Sequence, residues 1–303
     1  MRVAVTARTP SRCHCDSYRS SDAWMMAAVS HVHSIPVPVH PEPCATIASL
    51  PHPRLRPYVV GYGVFRSGSG AAVRHRVLPM NLATMIVDFA GPSRVITGPR
   101  SDPVVHEQTA WGDGVSVGLT PAGVAALLGV PMREVAGGTF GLADILGHRE
   151  AELAERLGQA PDRPTWFALL DDFLTARLAG DAQPDGLTTH AWRRLQQSAN
   201  RLRISAVADE LGVSRRTLEL RFQRQIGLSP GTVARIARFQ RALHMLTRSA
   251  GLPQTAIDCG YADQPHFNRE VRAMSGLTPT ELCAFFQDQG ARPRLASRHE
   301  SHR

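Results

Sequence analysis

Apolar positions fall into three textures along the 303 residues. The first 43 have no sustained period: Cys13 and Cys15, His31 and His33, and the proline-spaced stretch from Pro36 to Pro43 predict a disordered tail. From Tyr58, short apolar runs broken by Gly, Pro, Asn and Ser predict strands over 58–65, 73–78, 83–89, 94–97 and 114–119, a β-rich region of the sandwich or barrel kind. From Pro121 the period lengthens to that of helices. One ends at a capping glycine, Gly129, and two amphipathic ones are expected over 144–157 and 165–178. Their apolar faces need cover from the barrel or from a second copy of the chain, so a homodimer is an expected assembly. Gly180–Thr189, with Pro184 and Gly186, predicts a linker.

Beyond that linker the helical pattern occurs twice. Ala208 and Gly212 recur 48 residues later as Ala256 and Gly260, and Leu218, Phe222, Gly227 and Pro230 recur 49 residues later as Phe267, Val271, Gly276 and Pro279. The extra residue falls in the turn. Each copy reads as a short helix, a turn entered through glycine, and a second helix capped by Ser214 or Asp263, the grammar of a helix-turn-helix. Leu218, Phe222 and Ile226 in one second helix, and Phe267, Val271 and Met274 in the other, form a buried stripe. The opposite face carries Arg216, Leu220 and Gln223, flanked by Thr217, Glu219 and Arg224; in the second copy it carries Pro265, Arg269 and Arg272, flanked by His266 and Asn268. Such side chains reach base edges and phosphates, and Arg215, which opens the first of these helices, joins the DNA-binding candidates. Between the copies, Val233, Ile236, Leu243 and Leu246 predict one helix from Pro230 to about Thr247. Its length of about 27 Å, against ~34 Å between successive major-groove faces, suits two insertions into adjacent groove segments.

Over about residues 192–286 the chain resembles the AraC/XylS transcription regulators, in the run from Arg238 to Leu246, in Ile257 to Arg269 and in Gly276 to Leu282. The resemblance implies two helix-turn-helix units joined by a long helix, with base readers at Arg216, Thr217, Glu219 and Leu220 and at Gln264, Pro265, His266, Asn268 and Arg269. Glu219 and Leu220 depart from the basic or polar readers usual there; an acid suits cytosine N4, and an apolar side chain a thymine methyl. A weaker resemblance, over about 45–178, is to cupin-like sensor domains. His75-Arg76-Val77 lacks the paired histidines of metal-dependent cupins, so a metal-free binding or dimerisation domain is expected. The fold class is therefore α+β, a β-rich cupin-like barrel with helices followed by an all-α double helix-turn-helix. Its expected parts are a tail over 1–43, a sensor over 44–180, a linker over 181–190, a DNA-binding domain over 191–288 and a disordered basic tail over 289–303. Residues 187–303 alone are expected to fold and bind DNA. The implied partners are double-stranded DNA, RNA polymerase where the protein activates, and a small-molecule effector at the sensor.

Composition sharpens this picture. An apolar content of 43% excludes a mostly disordered chain, and without a long uncharged apolar run no membrane partner is expected and the protein is read as cytoplasmic. Residues 190–303 hold 18 arginines against 9 acids, whereas residues 1–189 hold 16 against 17, so the net charge of +8 sits with the repeat. A basic half suits a polyanion. Every cation of the 34 is arginine, a sign of codon bias, yet the asymmetry between halves survives it. Five cysteines, Cys13, Cys15, Cys44, Cys259 and Cys283, have no disulfide-framework spacing and read as reduced thiols, the last two as small core residues. Cys13, Cys15, His31 and His33 lack zinc-finger spacing, and no metal or cofactor is expected.

Rival chemistry is weak. Gly114 to Gly118 satisfies the nucleophile-elbow pattern of serine hydrolases, with Asp144 and His148 following, but the alternation of Val115 and Val117 into Leu119 reads as a strand. An alkyl-accepting thiol at Cys13 or Cys15 lacks the four-cysteine framework it needs, so the chain is read as not an enzyme. An architectural protein that coats DNA is the remaining alternative; Gln, Asn, His and Arg at reading positions argue against it. Trp111, Trp166 and Trp192 read as packing anchors, whereas His266, outside its helix's apolar stripe, reads as a DNA contact.

Overall fold

The computed structural model describes residues 32–37, 47–66, 72–89, 91, 93–110, 113–178, 185–197, 203–248, 251–288 and 294–295. Cys13, Cys15, His31, Cys44 and Trp111 lie outside them. The N-terminal half holds two sheets. The smaller has the order β1 (Ser34–Pro36), β4 (Ala72–Val77), β7 (Val104–Ala110). The larger runs β10 (Arg294–Leu295), β2 (Ile47–Ser49), β3 (Val59–Arg66), β8 (Asp113–Leu119), β5 (Ala83–Asp88), β6 (Arg94–Thr97), β9 (Thr139–Gly141). All its pairings are antiparallel except β10 with β2. β5 lies between β8 and β6 with all six residues buried, which is why its text reads as an unbroken apolar run. Ser116 stands mid-strand in β8, opposite Gly63 and Ile86, and its hydroxyl donates to Gly63 O at 3.4 Å; no strand-to-helix elbow forms there.

The five expected strands are present as β3, β4, β5, β6 and β8. β7 went unread because His106, Glu107, Gln108 and Thr109 dilute its apolar signal. The tail expected over 1–43 is corrected at 34–36: Ile35 is fully buried, and Pro36 is tolerated because β1 is an edge strand needing few donors. The tail expected over 289–303 is corrected at 294–295, where β10 pairs with Ile47 and Ala48.

Helices follow β8. α1 starts as Pro121–Gly123, capped by Thr120, and continues as a π-helical turn, Val124–Leu128, ending at Gly129. The helix expected over 144–157 is two, α2 (Leu142–Leu146) and α3 (Arg149–Gln159), separated at Gly147; α4 is Arg163–Arg177. The apolar faces expected to be covered by the barrel or by a second copy are covered within the chain: Leu153, Leu157, Trp166, Phe167, Leu170 and Leu174 are buried against the larger sheet's core. The linker expected over 181–190 is also corrected. Asp185 accepts from Leu187 N and the Thr188 hydroxyl at 3.0 Å each and so starts α5 (Gly186–Gln197) inside it. Pro-Asp-Gly reads equally as a turn or as a helix start, and the cap decides.

The remaining helices are α6 (Ile204–Glu210), α7 (Arg215–Gln225), α8 (Pro230–Thr247), α9 (Leu252–Asp258), α10 (Gln264–Ser275) and α11 (Pro279–Asp288). One apolar core runs without a break from Tyr62, Met85 and Val117 through Trp166 and Leu170 to Trp192, Val207, Leu218 and Phe222. A second joins Phe239, Leu243, Phe267, Val271 and Leu282 to Ile35 and Leu78 of the N-terminal half. Polar joints cross the same boundary. Asn81, 1% exposed, accepts at its carbonyl from Trp192 Nε1 (3.1 Å) and at Oδ1 from Gln196 (2.6 Å), and donates to Val233 O (3.1 Å). Gln240 donates to Pro79 O and Val32 O. The two halves are therefore not the separable modules the composition suggests. No helix among the described residues is long and apolar enough to cross a membrane.

Candidate nucleic-acid interface

Two helix pairs, α6–α7 and α9–α10, present the candidate readers. In each, a glycine with positive φ makes the turn, Gly212 at 64° and Gly260 at 71°, a conformation strained for any residue with a Cβ. Ser214 then accepts from Thr217 N at 3.0 Å and Asp263 from His266 N at 2.6 Å, so each second helix begins with an orphan donor satisfied. Leu218, Phe222 and Ile226, and Phe267, Val271 and Met274, are buried as the stripe requires. That burial turns the opposite faces outward.

On α7, Arg215, Arg216, Leu220, Gln223 and Arg224 are exposed, and Thr217 and Glu219 half-buried. Arg215 Nε lies 2.9 Å from Glu219 Oε1, one turn on, so the acid holds a neighbouring candidate rather than standing alone. Leu220 is among the few exposed large apolar residues. On α10, Pro265, Asn268, Arg269 and Arg272 are exposed, and Gln264 donates to Asn268 Oδ1 at 3.0 Å. His266 has partners within the domain besides its expected role. Its Nδ1 accepts from Ala262 N at 3.3 Å, its Nε2 lies 3.7 Å from Glu270, and its ring meets Tyr261 edge-on, so the imidazole braces the turn while staying half-exposed.

Sequence reasoning missed the group that fixes α10 to α8. Glu270 is 7% exposed and meets Arg235 Nε at 2.7 Å and Arg238 Nη2 at 3.0 Å. Arg238 also lies over the Tyr261 ring, and burial raises the Tyr261 hydroxyl far above its ordinary range, keeping it neutral. The signal was available: Glu270 sits beside the Phe267–Val271 stripe, three residues after Phe267, where a carboxylate needs a cation. Arg203, Arg215, Arg235 and Arg238 also line one surface groove between α6, α7 and α8, a cationic path beside the reading faces. Burial raises the Cys259 thiol to about 11 and lifts Cys283 too, so both stay protonated and act as small apolar fillers.

Two family models match the chain, a helix-turn-helix domain over residues 207–284 and a domain of unknown function (DUF6597) over 48–140. The first spans both helix pairs and the helix between them. Residues 207–284 form an AraC-type helix-turn-helix domain. The HTH-type transcriptional activator RhaS of Escherichia fergusonii is 32% identical over 108 residues, 35% of this chain and 38% of that one. RhaS of Escherichia coli O157:H7 is 32% identical over 85 residues, 28% and 31% respectively. The chain thus spans about a third of the length of these curated relatives, both named as transcriptional activators. Among solved structures, an AraC-type regulator from Chromobacterium violaceum matches at 29% identity over 33% of this chain and 91% of that one, with a TM-score of 0.32. An apo ToxT variant from Vibrio cholerae matches at 12% identity over 84% and 96%, with a TM-score of 0.42. A helix-turn-helix domain of this type is a DNA-binding module.

Proposed function

We propose that the whole chain is a cytoplasmic, sequence-specific regulator of transcription that sets α7 and α10 into adjacent major-groove segments on one side of double-stranded DNA. One observation carries this reading. Both reading faces stay open to solvent although the N-terminal half packs against the same domain, so docking of that half leaves the readers available. The arginines between α6, α7 and α8 supply phosphate contact, and α10 supplies most of the base contact through Asn268, Arg269 and Arg272. Activation through RNA polymerase is the outcome suggested by the RhaS relatives, and the N-terminal half is the place for modulation by a small molecule. Dimerisation, if used, needs a surface other than α3 and α4.

Footprinting on genomic fragments tests the proposal. A discrete site with two protected major-groove segments, roughly one helical turn of ~10 base pairs apart, is expected. Uniform coating without preference would support the architectural alternative instead.

A further inference from the structure

Arg100 follows β6 and is 5% exposed. Its Nη2 donates to Gly138 O at 3.1 Å and reaches Gly137 O and Thr139 Oγ1 at 3.5 Å each. Its Nε and Nη1, both shielded from solvent, have no hydrogen-bond partner among the described residues. A guanidinium keeps its charge at any physiological pH, so a buried cation is left with donors unused.

The neighbours deepen this deficit instead of relieving it. His75 and His106 stand opposite each other on β4 and β7, and His33, entering β1, bonds Thr97 Oγ1 through Nε2 at 3.0 Å. Among the described residues, the charged groups acting on His33 are Arg100, His75 and His106, and on His106 it is Arg100, with no carboxylate among them. His106 Nε2 is likewise buried without a partner. Three imidazoles beside a permanent cation disfavour a metal ion, and no group of three metal-ligating side chains is found among the described residues. What Arg100 Nε and Nη1 and His106 Nε2 lack, among the described residues, is a hydrogen-bond partner.

We propose that Arg100 and His106, with His33 and His75 beside them, bind a small oxyanion, a carboxylate or a phosphate, within the N-terminal half. Arg100 offers charge-assisted donors and His106 one further nitrogen, the chemistry that recognises either group. The position also ties the site to the DNA-binding half. Arg100 and Met80 exchange backbone hydrogen bonds at 2.8 and 3.1 Å, and Met80 lies between Pro79, which holds Gln240, and Asn81, which holds Trp192 and Val233. On the other side, the Gly137 and Gly138 carbonyls that Arg100 grips adjoin the segment whose Arg133 donates to Arg224 O at the end of α7. That an anion here tunes DNA reading rests on the proposed function; that it binds does not.

Calorimetric titration of the full chain at constant ionic strength tests the site, with succinate and inorganic phosphate as probes and chloride as the balancing anion. Saturable one-to-one binding of at least one probe is expected, weakened about tenfold or more by Arg100→Gln. Whichever probe binds tells the carboxylate source from the phosphate source. Absence of saturable binding of both, or equal binding by the wild type and Arg100→Gln as an anion on the DNA-reading face would give, overturns the proposal. Should Arg100→Gln fail to fold, His106→Asn decides: weaker binding supports the site and unchanged binding overturns it. The titration needs no DNA, so its failure is distinguishable from failure of the DNA-reading proposal.

Discussion

The two helix-turn-helix units are copies in sequence but differ in what holds them. In the first, Leu218 and Phe222 belong to the same apolar core as the larger sheet, and α7 is tied by Arg221 and Gln225 to Asp185 and by the Arg224 carbonyl to Arg133. The second is gripped mainly from within the AraC-type domain, through the Glu270 contacts to Arg235 and Arg238, and takes from the N-terminal half the apolar contacts of Val32, Ile35 and Leu78 and one hydrogen bond, from Arg76 to Ser275 O at 2.9 Å. Their reading faces differ in the same sense. α7 spends Arg215 on Glu219 and exposes Leu220, whereas α10 exposes Asn268, Arg269 and Arg272. The first unit thus shares more of its core with the N-terminal half, and the second, on the function proposed above, carries the face better suited to reading bases.

The largest effect should come from the joint under the first unit. Trp192 is fully buried and its Nε1 is bonded to Asn81 O, so Trp192→Ala should cost about 3–5 kcal/mol in chemical denaturation. If the halves share one core, the loss appears in a single transition of the full chain; two transitions, with only one shifted, would restore the picture of separable modules.

Acid should strike beneath the second unit. His33 is held at about 4, first by burial and then by Arg100, His75 and His106, and its carbonyl accepts from Leu78 N. An unfolded histidine titrates near 6.5, so between those values the unfolded chain binds the proton and the folded chain does not. Stability is therefore full above about pH 6.5 and falls progressively down to about 4, by up to about 3 kcal/mol. Urea midpoints at pH 7 and 4.5 measure it, and His33→Asn should flatten the difference.

The smallest effects separate the reading faces. Arg269→Ala should weaken the specific site by about 1–3 kcal/mol and relax one or two base pairs, while Leu220→Ala, at most a lost methyl contact, should cost under about 1 kcal/mol. Arg224→Ala should weaken all sequences alike and lower the salt slope by about one. Competition binding at several salt concentrations checks all three; equal losses from Arg269 and Leu220 would erase the asymmetry.

The repeat, its glycine turns, its caps and its buried stripes were legible because they follow from local rules: a period of 3.6, a cap at Ser214 or Asp263, a positive φ at Gly212 or Gly260. The strands with apolar text were legible for the same reason. What escaped depends on distant residues. Asn81, Gln240 and Glu270 are polar letters in ordinary surroundings, and only long-range packing buries them. β1 hid in a proline-spaced run because an edge strand asks little of its sequence. The braced His266 was legible in part: Glu270 lies one helical turn on, at i,i+4, whereas the Ala262 N–H is brought to the ring by the turn's shape.

Asn81 carries a lesson for building chimeras. Its amide and carbonyl hold α5 and α8 from a loop more than a hundred residues upstream, so a transplant cut between α4 and α5 would separate the lock from its keyhole. A grafted domain would arrive with Trp192 and Val233 facing whatever loop the new host supplies. Hybrids that carry Leu78–Asn81 along with the graft should keep the native fit, and those that leave it behind should behave as two strangers on one chain.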